Sequence, residues 1–129
     1  MKKIQHFSSA SDVYQYLKPM RSLKKEHFHG LYLDSRNKLV YDEVISIGSL
    51  TANIIHPREV FRPAIEHSAA AVIVAHNHPS GDPHPSEHDL RVTARLKSAG
   101  ELLNIPLLDH LIIADEGFVS LKEEGEMGD

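Results

Sequence analysis

The pattern of hydrophobic and polar positions predicts alternating strands and helices. Residues 27–33 and 39–47 each alternate large apolar with polar or small residues, and they flank the turn-forming segment 34–38, which favours a β-hairpin. Residues 69–75 form a continuous apolar run of strand length, typical of a central strand covered on both faces. Two closing strands are predicted at residues 107–114 and 118–121.

Three helices are predicted, one before these strands at residues 8–17 and two between them at residues 57–67 and 86–103. A serine caps the first, and Pro19 is expected to end it. Pro57 suits the first position of the second helix, whereas Pro63 predicts a kink or an earlier end. The side chains predicted to be buried on the second and third helices are Val60, Phe61, Ala64, Ile65, Leu90, Ala94, Leu96 and Leu102.

This alternation predicts one α/β domain over residues 1–129, with a mixed sheet packed by helices. A length of 129 residues is enough for a single hydrophobic core. Residues 48–55 read as an edge strand or an ordered loop, where an extended peptide substrate could add as a strand.

The amino-acid composition excludes or disfavours several classes of function. The chain is 41% hydrophobic and 25% charged, with a formal net charge of -4, which argues against direct binding of DNA through its phosphates. It has no cysteine, which excludes disulfides, a thiol nucleophile and cysteine-ligated zinc. No signal peptide or membrane span is predicted, and we expect a cytoplasmic protein. The unusual number is ten histidines.

Two of these histidines stand where the buried strand ends. His76 and His78 are separated by one residue, so in an extended chain their side chains point the same way. The following turn is stiffened by proline and glycine and leads to Ser86, which opens the third helix, and to Asp89 in its first turn. Two imidazoles and one carboxylate form a metal site with a fourth position open to water, as in catalytic zinc centres.

Each of these residues also has a purely structural interpretation. Ser86 and Asp89 match a helix capping box, and a lone His-x-His pair is weak evidence for a metal. The histidine pair, the stiff turn and the start of the third helix occur together, and this combination favours the metal site. Asp82 and His84 lie in the turn and remain alternative ligands. The sequence Asp109-His110 is interpreted as structural, or as orienting a ligand imidazole.

The string from position 76 to position 89 resembles the signature of JAMM (JAB/MPN) metalloproteases, and of the RadC family in particular. That signature has His-x-His, seven residues, then Ser-x-x-Asp. Three further segments share the resemblance, which covers essentially the whole chain: Leu31-Tyr32-Leu33-Asp34, Pro57-Arg58-Glu59 and Asp109-His110-Leu111-Ile112-Ile113.

The resemblance implies a cytidine-deaminase-like α/β/α fold and a zinc ion (Zn²⁺) held by His76, His78 and Asp89. It places Ser86 beside the reacting centre, where we expect its hydroxyl to donate to the developing oxyanion. By position, Glu26 matches the glutamate that serves JAMM enzymes as general base, although a surface role is the alternative. Many family members carry a preceding helix-hairpin-helix segment, which this sequence does not show.

The leading interpretation is therefore a zinc hydrolase that cleaves a peptide or isopeptide bond in a peptide or protein substrate. An accessory module associated with nucleic acid is the alternative, suggested by the DNA-repair label of the RadC family. Base deamination is set aside, because it uses His-x-Glu with Pro-Cys-x-x-Cys. Two histidines and a carboxylate also allow non-heme iron.

Overall fold

A computed structural model describes residues 5–48 and 55–128. In chain order, helix α1 and a short 3-10 helix precede the hairpin of β1 and β2, then α2, β3, α3, β4 and β5 follow. Their bounds are Ala10–Leu17 (α1), Lys18–Ser22 (3-10 helix), His27–Leu33 (β1), Leu39–Ile47 (β2), Pro57–Glu66 (α2), Ala71–Asn77 (β3), Glu87–Leu103 (α3), Leu107–Ala114 (β4) and Gly117–Ser120 (β5).

The five strands form one mixed sheet in the order β2-β1-β3-β4-β5. The β3–β4 pair is parallel and is connected through α3, whereas β1 pairs antiparallel with both β2 and β3. The predicted hairpin and the α/β fold class are thus confirmed. Because β1 and β3 run in opposite directions, the start of β1 and the end of β3 lie side by side, with Phe28 opposite His76.

Helices cover both faces of this sheet and create two cores. Alternate residues of β3 divide between them: Val72 and Val74 face α2 and α3, whereas Ile73 and Ala75 face α1 and the 3-10 helix. Every residue of β3 is buried, as its continuous apolar run predicts. Since side chains alternate along a strand, the next residues, His76 and Asn77, also turn towards opposite layers.

The first α-helix ends at Leu17 as predicted, two residues before Pro19, and the chain continues as the 3-10 helix, in which a proline near the start is tolerated. Two local predictions were wrong. Helix α2 does not end early at Pro63, which is itself buried, because packing offsets the missing hydrogen bond; the alternative of a kink stays a prediction. The central strand extends to Asn77 and therefore carries His76 within it, because pairing with both neighbouring strands overrides the polarity of its end.

The buried face of α3 also differs from the prediction. Leu102 is 86% exposed and Ala94 is exposed, whereas Leu96 is buried as expected. On α2, Ile65 is 61% exposed rather than buried. The face of α3 that meets the sheet consists of Asp89, Val92, Thr93, Leu96 and Gly100. A prediction from apolar residues alone misses this face, because Asp89 and Thr93 are polar. The predicted substrate edge at residues 48–55 lies outside the described residues, except at its ends.

Candidate metal centre

Three side chains converge where β3 ends and α3 begins. The Nε2 atoms of His76 and His78 lie 2.9 Å apart. Each is 3.2 Å from one carboxylate oxygen of Asp89, His76 from Oδ1 and His78 from Oδ2. The His76 and Asp89 side chains are buried, and that of His78 is 15% exposed, so the cluster opens to solvent on the His78 side.

Local structure explains how these groups meet. His76 lies in β3 and His78 follows one residue after the strand, held by a backbone hydrogen bond from its nitrogen to the Ile113 carbonyl. Asp89 is at the third position of α3, where it completes a capping box with Ser86. One strand end and one helix start therefore supply the three groups, and the predicted convergence is present in the structure.

The three groups suit a metal ion. Tetrahedral ligands at about 2.0–2.1 Å from zinc lie about 3.3 Å from one another, close to the spacing of this cluster. Two imidazole nitrogens at 2.9 Å also need a proton or a cation between their lone pairs. His76, His78 and Asp89 can thus hold a metal ion, and a set of three protein ligands leaves a coordination position open.

The other ring nitrogen of each histidine is also bonded. Nδ1 of His78 is 2.8 Å from the carbonyl oxygen of Asp82, in the turn after β3. Nδ1 of His76 is 2.8 Å from Nε2 of His110, on β4. The Phe28 ring stacks on the His76 ring, with centroids 6.1 Å apart. The contacts at Nδ1 therefore fix the orientation of both imidazole rings, as is usual for histidines that bind metals.

The electrostatics of the cluster follow from these contacts. Burial raises the pKa of Asp89, but hydrogen bonds from His76 and His78 outweigh it and hold that pKa well below its ordinary value. Burial lowers the pKa of His78, yet the hydrogen bond to Asp89, the Asp82 carbonyl and the negative charge of Glu26 raise it overall. Burial, followed by the charge of His76, pushes the pKa of His110 well below its ordinary value.

The two residues predicted to take part in chemistry lie at the same end of the sheet. Ser86 is exposed, and its Oγ accepts a hydrogen bond from the Asp89 nitrogen at 3.0 Å. This bond uses an oxygen lone pair, so the hydroxyl hydrogen can still be donated. Glu26 is half-buried directly before β1, and its carbonyl accepts a hydrogen bond from the Gly48 nitrogen at 2.8 Å. Its charge is near enough to affect His78.

The alternative ligands lie elsewhere. His84 points at Asp82, with 2.7 Å between Nδ1 and Oδ1, and both side chains are exposed. Asp109 does not reach the cluster. It accepts hydrogen bonds from the Ser120 hydroxyl and the Lys122 nitrogen. Its neighbour His110 does reach the cluster, with Nε2 2.8 Å from Nδ1 of His76; that it orients a metal ligand stays a prediction.

Sequence reasoning missed two residues of the centre. Thr93, one turn after Asp89 on α3, bonds to His110 at 2.6 Å between Oγ1 and Nδ1. Asn77 lies between the two histidines and turns to the opposite layer, where its amide bonds to the 23–27 segment that carries Glu26. The four-residue spacing from Asp89 could have placed Thr93 on the same face of α3, although it gives no sign of the partner His110.

A family model described as the RadC-like JAB domain matches residues 7–126. The chain belongs to the RadC family. It is 59% identical over 118 residues to a UPF0758 protein of Methanococcoides burtonii, covering 91% of this chain and 52% of that protein. It is 55% identical over 109 residues to a UPF0758 protein of Geobacillus kaustophilus, covering 84% of this chain and 48% of that protein.

This RadC-family chain thus spans about half the length of the curated relatives it matches. The resemblance noted from the motifs is confirmed by these matches, which cover both the histidine pair and the start of α3. Among the described residues, no helix combines the length and apolar character needed to cross a membrane.

Proposed function

We propose that this RadC-family domain is a zinc-dependent hydrolase that cleaves a peptide or isopeptide bond in a peptide or protein substrate. The observation that carries the proposal is the convergence of His76, His78 and Asp89 on one point beside exposed Ser86. Three protein ligands with one open position are the pattern of catalytic rather than structural zinc sites. When bound, zinc supplies Lewis-acid chemistry and lowers the pKa of a bound water to about 7.

Glu26 is assigned the proton transfers. Amide hydrolysis requires a group that takes a proton from the attacking water and gives one to the leaving amine. Glu26 is half-buried at the sheet end that carries the proposed ligands, and its charge acts on His78, which supports this role. The backbone bond from Gly48 to Glu26 fixes the segment beside the site.

Ser86 is assigned the stabilisation of the oxyanion. Its side chain stands at the N-terminus of α3, where the helix dipole favours negative charge. The hydroxyl accepts from the Asp89 nitrogen, so its orientation is fixed while its hydrogen remains available to the substrate oxygen.

The test begins with metal content. Protein purified without added metal should contain one zinc per chain by inductively coupled plasma mass spectrometry, and His76→Ala should lose it. Iron in place of zinc would contradict the zinc assignment, because two histidines and a carboxylate suit both metals. A folded wild-type protein that takes up no transition metal under any loading condition would reject the metal site.

The second step is a peptide-library cleavage screen read by mass spectrometry. Wild-type protein should cleave a subset of peptides, and Glu26→Gln should keep its zinc while hydrolysis falls by about 10²–10⁴-fold. A zinc-loaded wild type that cleaves no peptide or isopeptide would reject the hydrolase proposal. An unchanged rate in Glu26→Gln would reject the assignment of Glu26.

A further inference from the structure

A continuous series of buried hydrogen bonds runs behind the metal centre and links two of its ligands. It starts at Nδ1 of His76, which is 2.8 Å from Nε2 of His110. Nδ1 of His110 is 2.6 Å from Oγ1 of Thr93. The Thr93 hydroxyl is 2.8 Å from the carbonyl oxygen of Asp89, to which it donates. Three elements, β3, β4 and α3, are therefore joined through side chains.

The middle member, His110, is fully buried. The hydrogen-bond partners of its two ring nitrogens are an imidazole and a hydroxyl, neither of which carries a negative charge. Burial of an unpaired imidazolium is unfavourable, so a neutral ring with a single N–H is expected there. A neutral imidazole donates from one nitrogen and accepts at the other, so the series has a direction.

Only one direction leaves His76 ready to bind a metal. If the Thr93 hydroxyl donates to Asp89, its oxygen accepts from Nδ1–H of His110, and the bare Nε2 of His110 accepts from Nδ1–H of His76. Nε2 of His76 then carries no hydrogen, and its lone pair faces His78 and Asp89. In the opposite direction Nε2 of His76 carries the hydrogen, which blocks it as a ligand.

We propose that His110 and Thr93 are positioning residues that hold His76 in the tautomer with its hydrogen on Nδ1, so that Nε2 is preset as a metal ligand. Histidines that bind metals usually donate to a carboxylate, a carbonyl or water. Here a second histidine takes that place, and the hydroxyl of Thr93 decides which nitrogen of His110 carries the hydrogen. The inference rests on the metal site of the proposed function.

Threonine, valine and serine provide the matched test. Thr93→Val keeps the shape of the side chain and removes the hydroxyl, whereas Thr93→Ser keeps the hydroxyl and removes a methyl group. Zinc affinity, measured by competition with a chromophoric chelator, should fall by about 10–100-fold in Thr93→Val, the usual effect of losing an outer partner of a ligand. Thr93→Ser should stay close to wild type. Equal affinities of the two variants would overturn the proposal.

Nitrogen-15 NMR of the imidazoles supplies a readout that a purely structural role would not move. In metal-free wild type, His110 should show the Nδ1–H form, and it should lose that preference in Thr93→Val. A metal-free wild type with hydrogen on Nε2 of His110 would overturn the proposal. Failure of the wild type to bind zinc would instead overturn the metal site itself, so the two failures are distinguishable.

Discussion

The backbone nitrogen of Ser86 lies 2.8 Å from Oδ2 of Asp89, so the cap of α3 also orients a proposed metal ligand. The reverse bond, from the Asp89 nitrogen to Oγ of Ser86, completes the box. The structural and functional interpretations of these two residues are therefore not alternatives. The cap fixes the carboxylate, and the fixed carboxylate can then meet His76 and His78.

Ser86 can be tested by a pair of substitutions that separate its two roles. Ser86→Ala should lower the free energy of unfolding by about 1 kcal/mol, whereas Ser86→Gly should lower it by only a few tenths, because glycine is a tolerable N-cap. Both lack the hydroxyl, so both should lose about 10²–10³-fold in hydrolysis if Ser86 stabilises an oxyanion. Denaturant unfolding and peptide cleavage measure the two effects. Near wild-type activity in Ser86→Gly would contradict the catalytic role.

Asn77 should control the position of Glu26 without affecting metal binding. Its buried amide accepts from the His27 nitrogen at 2.6 Å and donates to the carbonyls of Leu23 and Lys25. Asn77→Leu removes these three bonds, although the Lys25 carbonyl keeps its contact with Nδ1 of His27. A group that loses its partner costs about 1–3 kcal/mol where it is buried.

We therefore expect Asn77→Leu to be less stable in chemical denaturation and slower in hydrolysis, with zinc affinity near wild type. The affinity is the control, since His76 and His78 flank the substituted residue in the chain. A large loss of zinc, with hydrolysis per bound zinc unchanged, would show that Asn77 supports the ligands instead.

The stability of the metal-free protein should depend on pH through the titration of His78. Its pKa in the folded protein is raised above the ordinary 6.5, so the folded state holds this proton more tightly than the unfolded state. The resulting stability is present below pH 6.5 and is lost as pH rises through the raised pKa. Thermal melts in chelator should show this loss in wild type and not in His78→Gln.

Zinc binding should have the opposite pH dependence and strengthen as pH rises, because zinc binds the neutral imidazole. Apparent zinc affinity of the wild type should rise with pH over the interval in which His78 loses its proton. An affinity that is independent of pH across this interval would argue against His78 as a ligand.

Gly100 should resist replacement although it lies inside a helix. A Cβ there would sit 2.6 Å from the Ile105 carbonyl oxygen and 3.2 Å from the Leu107 nitrogen, both backbone atoms. Helix propensity favours alanine by about 1 kcal/mol, but overpacking costs about 1–3 kcal/mol, so Gly100→Ala should be destabilising on balance. Exposed Ser98→Ala on the same helix is the control and should not destabilise. A stabilised Gly100→Ala in denaturant unfolding would contradict the close packing.

The sequence predicted most of the fold because its strands have strong patterns. The bounds of β1 and β2 match the alternating segments, and β3 follows from its apolar run. The phase of α3 was missed because the residues that face the sheet include Asp89 and Thr93. A helix whose inner face serves a polar site does not show the apolar stripe that periodicity analysis detects.

Part of the candidate site could likewise be predicted from the sequence, and part could not. The convergence of His76, His78 and Asp89 could be expected, since their spacing combines with strand and helix geometry. The contact between His110 and Thr93 could not, because it depends on how β4 and α3 pack, and no local spacing records it. The link from Asn77 to the segment before β1 likewise joins residues about fifty positions apart.

The pairing of Phe28 with His76 has a consequence for how the protein reaches its working state. This pairing and that of Val74 with His110 join distant parts of the chain. Such distant pairings make mixed α/β domains fold more slowly than helical bundles, although faster than all-β sandwiches. Asp89 meets His76 and His78 only when the start of α3 has packed against the end of β3. The three-ligand site proposed above is therefore complete only in the folded domain, and the proposed metal binding should stabilise the folded state over the unfolded one.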